Sequence, residues 1–414
     1  MAKRTLIAWL TSVKSRILAH DTRSKFVASR QSGMRDSKYL FPDEKHLLAR
    51  FWRSGSGFWR GQSGWMAWLL VVLLVGTIIL QLLTQYRLNF WNRDFFDAIE
   101  RKDAPGLWQQ ALRLLPIGTA SLTLAIISVW GRMTMQRKWR HWLSNHLYDH
   151  WLERDHVTQL KFMSGEHQAP EYRIAEDARV ATDLPIDLLL GLLSSVLVAA
   201  TFISVLWKVG GHIVIEALGT RIVIPGYLVI AVILYSGLMT AAMMLIARHL
   251  TRIIEDNKRT EAELRSVGTH LREARENILD SNVQQNGRRA IGAALDAVIS
   301  VWRTYCWQLM RMTVVTHMSA LLTPLIALLL CTPKYIDGTI TLGEVVQAAA
   351  AFVVVQGAFG WITDSYARIA EWAASANRVA SLLLALDQID EQASSSVLQG
   401  LRRSASGKTE TKLQ

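Results

Sequence analysis

Residues 261–279, EAELRSVGTHLREARENIL, read as a water-facing helix in a chain otherwise rich in apolar runs, and that contrast decides the fold. Leu264, Val267, Leu271, Ala274 and Ile278 recur at spacings of three and four, which draws one apolar seam along a helix. The other faces carry Glu261, Glu263, Arg265, Arg272, Glu273, Arg275 and Glu276, with Glu261 and Arg265, and Arg272 and Glu276, four apart. The helical pattern runs back without Pro or Gly to the apolar run IVIPGYLVIAVILYSGLMTAAMMLIA at 222–247. A span that continues as an amphipathic helix reaches out of a bilayer into water.

Five further runs approach the roughly 20 apolar residues that a helix needs to cross a membrane. They are WMAWLLVVLLVGTIILQLL at 65–83, LLPIGTASLTLAIISVW at 114–130 and PIDLLLGLLSSVLVAATFISVLW at 185–207. MTVVTHMSALLTPLIALLLC at 312–331 and TLGEVVQAAAAFVVVQGAFGWI at 341–362 complete the set. Six crossings put both ends of the chain on one side.

Charge supplies the orientation. Lys and Arg number 37 over 1–64, 131–184, 248–308 and 365–414, against 7 over 86–110, 208–222 and 333–340. The positive-inside rule makes the first set cytoplasmic, both termini included. The net charge of +12 follows from this bias and gives no reason to expect nucleic acid. The start, MAKRTLIAWLTSVKSR, has too short an apolar core and no small-residue cleavage site for a signal peptide. Cys306 and Cys331 fall toward opposite ends of one expected helix, roughly 37 Å apart, too far for a disulfide within the chain.

Residues 1–45 are basic and polar and read as a poorly ordered cytoplasmic arm. Residues 46–390 read as the membrane domain, led by an interfacial elbow helix with Trp52, Trp59 and Trp65 at headgroup level. From 131 to 160 a helical pattern persists, and the first turn signal is MSGEHQAPEY at 163–172. A second break is expected at DSNVQQNG, 280–287. Spans two to five then form two helical hairpins extending roughly 45 Å past the bilayer. The last span continues through DSYARIAEWAASANRVASLLLALDQID to Asp390, after which 391–414 reads as a disordered tail.

Three stretches carry a family resemblance. LNFWNRDFFDAIERKD at 88–103 resembles an outer-loop pattern Asn-x-Trp-x-Arg-x-Phe-Tyr-Asp-Ala-Leu, matched by Asn89, Trp91, Arg93, Phe95, Asp97 and Ala98. EYRIAEDAR at 171–179 resembles a first inner-loop segment through Arg173, Ile174, Glu176 and Asp177, and residues 261–278 resemble a second inner-loop motif. Where that motif usually runs on to Gly-Gly-Glu, this chain has LDSNVQQNGRR. Together they resemble the transmembrane half of ABC transporters of the SbmA/BacA group and of the related YddA-like and peroxisomal D-type permease–ATPase fusions.

The resemblance implies an all-α membrane protein of the type-1 ABC-exporter fold, a homodimer with alternating access. It also implies turns at 164–172 and 279–287 that dock on an ATPase, with Glu166, Arg173, Glu176, Asp177, Glu273, Asn277 and Asp280 as coupling residues. Asn89, Trp91, Arg93 and Asp97 carry the outer motif. The P-loop-like letters SASGKTE at 404–410 have Arg402 where a P-loop needs glycine, and no catalytic residue is expected in this chain. ATP and Mg²⁺ would enter through a separate ATPase.

Ionisable groups inside a bilayer are expensive and default to functional candidates. His317 is the mid-span candidate for protonation or cargo contact, a packed histidine being the plainer reading. Asp183, Asp187, Glu344 and Asp364 lie near span ends. His146 and His150 are four apart, but Leu147 stands where a zinc-protease motif needs Glu, so no metal site is expected. The expected function is a permease subunit in the inner membrane, moving peptides, peptide-like antibiotics or corrinoid-type cargo. A proton-coupled, ATPase-independent uptake transporter and a truncated remnant of a fusion are the alternatives.

Overall fold

The structure is a computed structural model that describes residues 55–61, 64–153, 156–162, 170–217, 220–275 and 281–410. The expected arm at 1–45 lies outside them, as does most of the elbow segment. What is seen of the elbow is α1 (Gly57–Arg60). Its Phe58 stacks on Trp139 at 6.4 Å and closes a cluster with Ala67, Leu70, Leu74, Met135 and Ile186.

Among the described residues, six helices are long and apolar enough to cross a membrane. The first, α2 (Gly64–Glu100), corrects the expected outer loop, because it stays helical through the whole of the 88–100 motif. No Pro or Gly interrupts the chain from 77 to 104, so nothing breaks the backbone ladder. A tight turn follows, with Lys102 at φ 55°, and the Asp103 side chain accepts from the Gly106 N–H at 3.1 Å to start α3 (Ala104–Leu152).

Helix α3 ends at Leu152, short of the expected 160, because Glu153 is extended (ψ 134°). A short α4 (His156–Phe162) follows, then a turn of helix at Pro170–Tyr172 and a π-helical turn at Arg173–Asp177 leading into α5 (Ala178–Gly210). The span 222–247 also begins later than expected. An antiparallel hairpin, β1 (His212–Ala217) with β2 (Thr220–Pro225), stands between α5 and α6 (Tyr227–Ala247), pairing His212 with Pro225 and Ala217 with Thr220. HIVIEA and TRIVIP are rich in β-branched residues, which favour a pleated surface. Gly226 closes the hairpin at φ 61°, donates to the Gly211 carbonyl at 2.6 Å and lies where a Cβ would meet Trp207 at 2.3 Å.

After a break at Arg248–His249 comes α7 (Leu250–Arg275), then α8 (Ser281–Ile336). The half-buried residues Leu264, Val267 and Leu271 form the apolar seam foreseen for this helix, and α7 packs on α8. The expected break at 280–287 is corrected: Ser281–Gly287 is already helical, and 276–280 lie outside the described residues. Gly287 is a packing residue, since a Cβ there would meet Leu271 Cδ2 at 2.6 Å. Cys306 and Cys331 are both free and both on α8.

The last helix, α9 (Leu342–Glu410), is 69 residues long and corrects the expected disordered tail, being helical across 391–410. No Pro occurs after residue 333 to end it. At membrane level α9 contributes Val345, Ala348, Ala351, Phe352 and Val355 to the main core, with Phe202, Leu206, Leu228, Val232 and Ala327 from α5, α6 and α8. The small residues let these helices approach closely.

Candidate functional site

Polar contacts fasten α9 to the other helices at successive levels, and each level contains residues that the motifs single out. One level lies at the π-helical turn that leads into α5. Asp177, 2 % exposed, accepts from Arg378 Nε at 2.9 Å and Nη2 at 2.6 Å. Arg173, also buried, donates from Nη1 to the Arg378 carbonyl at 3.1 Å and to Ser381 Oγ at 2.9 Å. The wider π turn sets both side chains on one face toward α9. Arg173 and Asp177, expected as residues that couple to an ATPase, are buried and paired within the chain, because each finds a complementary group on α9. Glu176 stays on the outer side, where hydrogen bonding to Arg179 holds its carboxyl below the usual range.

The break after α3 has its reason in the same region. His156 Nδ1 donates to the His150 carbonyl at 2.7 Å, taking up an orphan acceptor at the helix end. His156 Nε2 reaches Asp390 Oδ1 and His150 Nε2 reaches Asp390 Oδ2, both at 3.1 Å. The His150 hydrogen bond first, and then the charge and hydrogen bond of His156, hold the Asp390 carboxyl below the ordinary carboxylate range. His146 stacks on Trp142 at 5.3 Å. Sequence spacing pairs His146 with His150; the fold pairs His150 with His156 and an aspartate 240 residues away. Among the described residues no metal-holding cluster is found.

Nearer the bilayer, Asp187 on α5 gathers Arg368 Nη2 at 2.8 Å, Gln136 Nε2 at 2.9 Å and Arg132 Nε at 3.6 Å. The motifs did not point to these partners. Their signal is positional: Arg132, Asp187 and Arg368 all lie close to the same-side ends of spans two, three and six.

At the opposite end the outer motif is a clamp. Asn89, buried, donates to the Gln347 carbonyl at 3.1 Å, and Trp91 Nε1 donates to the Gln110 carbonyl at 2.8 Å. Arg93 pairs with Asp94 at 2.9 Å and lies over the Phe90 ring. Asp97 Oδ1 accepts from the Gly343 N–H at 2.9 Å, and Glu100 accepts from the Leu342 N–H and the Tyr335 hydroxyl, both at 3.1 Å. Thr341 and Glu344 form a reciprocal capping box at 3.1 and 3.2 Å. Carboxylates thus meet the free N–H groups and positive dipole end of α9.

His317 is exposed on α8. Glu273 is exposed on α7, 3.8 Å from His270, while Glu166, Asn277 and Asp280 lie outside the described residues. Residues 60–362 match the family described as ABC transporter transmembrane region 2. The chain belongs to that family. This transmembrane region is 24 % identical over 338 residues to the inner membrane ABC transporter ATP-binding protein YddA of Escherichia coli, covering 80 % of this chain and 60 % of that one. It is 23 % identical over 323 residues to an uncharacterized ABC transporter ATP-binding protein of Synechocystis, covering 77 % and 46 %. It is 19 % identical over 335 residues to the chloroplastic ABC transporter D family member 2 of Arabidopsis thaliana, covering 81 % and 45 %. The ABC transmembrane region described here therefore spans about half the length of the curated relatives it matches.

Proposed function

We propose that this ABC transmembrane region is the permease half of an inner-membrane transporter whose ATPase, with its ATP and Mg²⁺, lies outside residues 1–414. The extended ends of the helices face the cytoplasm, both termini with them, as the Lys and Arg count supports. The observation that carries the coupling is the pairing of Asp177 and Arg173 with α9. An ATPase pressing on the segment before Pro170 moves the π turn, and the buried pairs pass that movement to α9. The clamp at Asp97 and Glu100 keeps the far end of α9 attached to α2, so the helix tilts and cavity access switches, a rigid-body form of alternating access.

The working unit is a homodimer. Ile291, Leu295, Ile299 and Trp302 are 41 to 53 % exposed and recur at helical spacing on α8, before its apolar span at 312–331. An apolar stripe outside the lipid calls for a cover, and a second copy is the cover proposed. The cargo class, peptides, peptide-like antibiotics or corrinoid-type molecules, rests on the resemblance to the SbmA/BacA group alone.

Proteoliposome uptake of a fluorescent peptide tests the reading. Uptake should require an added ATPase with ATP and Mg²⁺. Uptake driven by a pH gradient without nucleotide would overturn it in favour of proton coupling, and His317→Ala would then show whether His317 takes part.

A further inference from the structure

A cleft of about 660 Å³ opens between α1, the first turn of α2 and the part of α3 just beyond its apolar span. Phe58, Met66 and Ala67 give it an apolar floor, and Arg137 and Lys138 give it a cationic wall, with His141 beside them. Lys138 is half-buried, and its one hydrogen-bonding partner among the described residues is the Met66 thioether, a weak acceptor. Arg137 makes no hydrogen bond or ion pair with the described residues. The lining carboxylate, Asp149, is 11 residues farther along α3, roughly 16 Å from Lys138 along the axis. The cleft is a place for an anion.

Its depth names the source. Met66 is the second residue of the apolar run 65–83, and Lys138 follows the run 114–130 by eight residues, about 12 Å. Trp65 and Trp68 are 67 and 58 % exposed beside it, and Trp59 packs edge-on to Trp68 at 5.7 Å, an aromatic belt at headgroup level. We propose that the cleft binds the phosphate of an anionic phospholipid from this leaflet, with the glycerol and upper acyl segments against Phe58, Met66 and Ala67. Two cations with no carboxylate partner among the described residues complement the net negative charge of phosphatidylglycerol or cardiolipin. A phosphatidylcholine headgroup would set its own ammonium against them. Basic pockets between membrane helices on the cytoplasmic side hold lipid headgroups by this chemistry.

The full chain, reconstituted in nanodiscs of equal phosphatidylcholine and phosphatidylglycerol and released into mild detergent, should retain phosphatidylglycerol preferentially by native mass spectrometry. An Arg137→Gln, Lys138→Gln double variant should retain it about tenfold less. An Arg252→Gln, Lys258→Gln variant on α7 should retain it fully. Lys138→Met, which matches its thioether neighbour, replaces the double variant if that fails to give a monodisperse protein, and should show a partial loss. Equal retention of both lipids by the wild type, or unchanged retention in the cleft variants, overturns the proposal. A melting temperature raised by inorganic phosphate in the wild type but not in the double variant, without lipid retention, assigns the site to a free anion and overturns the lipid source.

Discussion

Asp177 and Arg378 stand 201 residues apart and meet through two hydrogen bonds of 2.9 and 2.6 Å. The carboxylate is buried while the guanidinium is 42 % exposed, so the two ends of the pair are not equivalent. Asp177→Ala leaves a half-exposed arginine that still donates to Ser375 Oγ at 2.9 Å, whereas Arg378→Ala strands a buried charge. Thermal unfolding in detergent should therefore show the larger loss for Arg378→Ala, about 3 kcal/mol against about 1–2 for Asp177→Ala. A double variant close to the worse single variant would confirm the coupling, and additive losses would refute it.

Asp390 gives the same region a dependence on acid. Its carboxyl is held below the ordinary range, first by His150 and then by His156. A depressed folded pKa contributes stability that is present above the unfolded value, about 3.9, and is lost as pH falls through the folded value. The melting-temperature gap between the wild type and Asp390→Asn should hold steady from pH 5.5 toward 4 and shrink below it. A gap that stays constant down to pH 3 would show that the carboxylate charge contributes nothing.

The six apolar helices were legible because each is a local run, and the seam of Leu264, Val267 and Leu271 because period is local too. Pairings were not legible. Nothing near Asp177 in the sequence points to Arg378, and nothing near His156 points to Asp390, since the fold alone brings α9 beside them. The motif letters marked Arg173 and Asp177 as important without saying that they face inward. The hairpin was written in HIVIEA and TRIVIP but was hidden by a short loop between two strong spans. The tail misled because Ser and Gln lower helix preference only weakly, and a helix already nucleated extends through them without a proline to stop it.

The stripe on α8 offers a direct test of the dimer. With Cys306 replaced by Ser to remove the exposed native thiol, Leu295→Cys and Ile299→Cys should form disulfide-linked dimers in membranes on mild oxidation. Thr304→Cys, exposed on the same helix away from the stripe, should cross-link far less. Equal cross-linking at all positions would indicate random collision.

The outer clamp predicts a rank order among substitutions at one point. A Cβ on Gly343 would lie 2.1 Å from the Arg93 carbonyl oxygen and 2.3 Å from Asp97 Oδ1. The first of these is backbone, which no rotamer change can move. Gly343→Ala must push the start of α9 off α2, losing the Asp97 cap together with the packing, on the order of 2–3 kcal/mol. Asp97→Ala removes the cap alone, about 1 kcal/mol, and Asp97→Asn keeps an acceptor oxygen in place and should cost least. Melting temperatures in detergent should fall in that order, Gly343→Ala lowest. An Asp97→Ala protein less stable than Gly343→Ala would mean that the carboxylate, and not the close approach of α2 and α9, holds this end of the bundle.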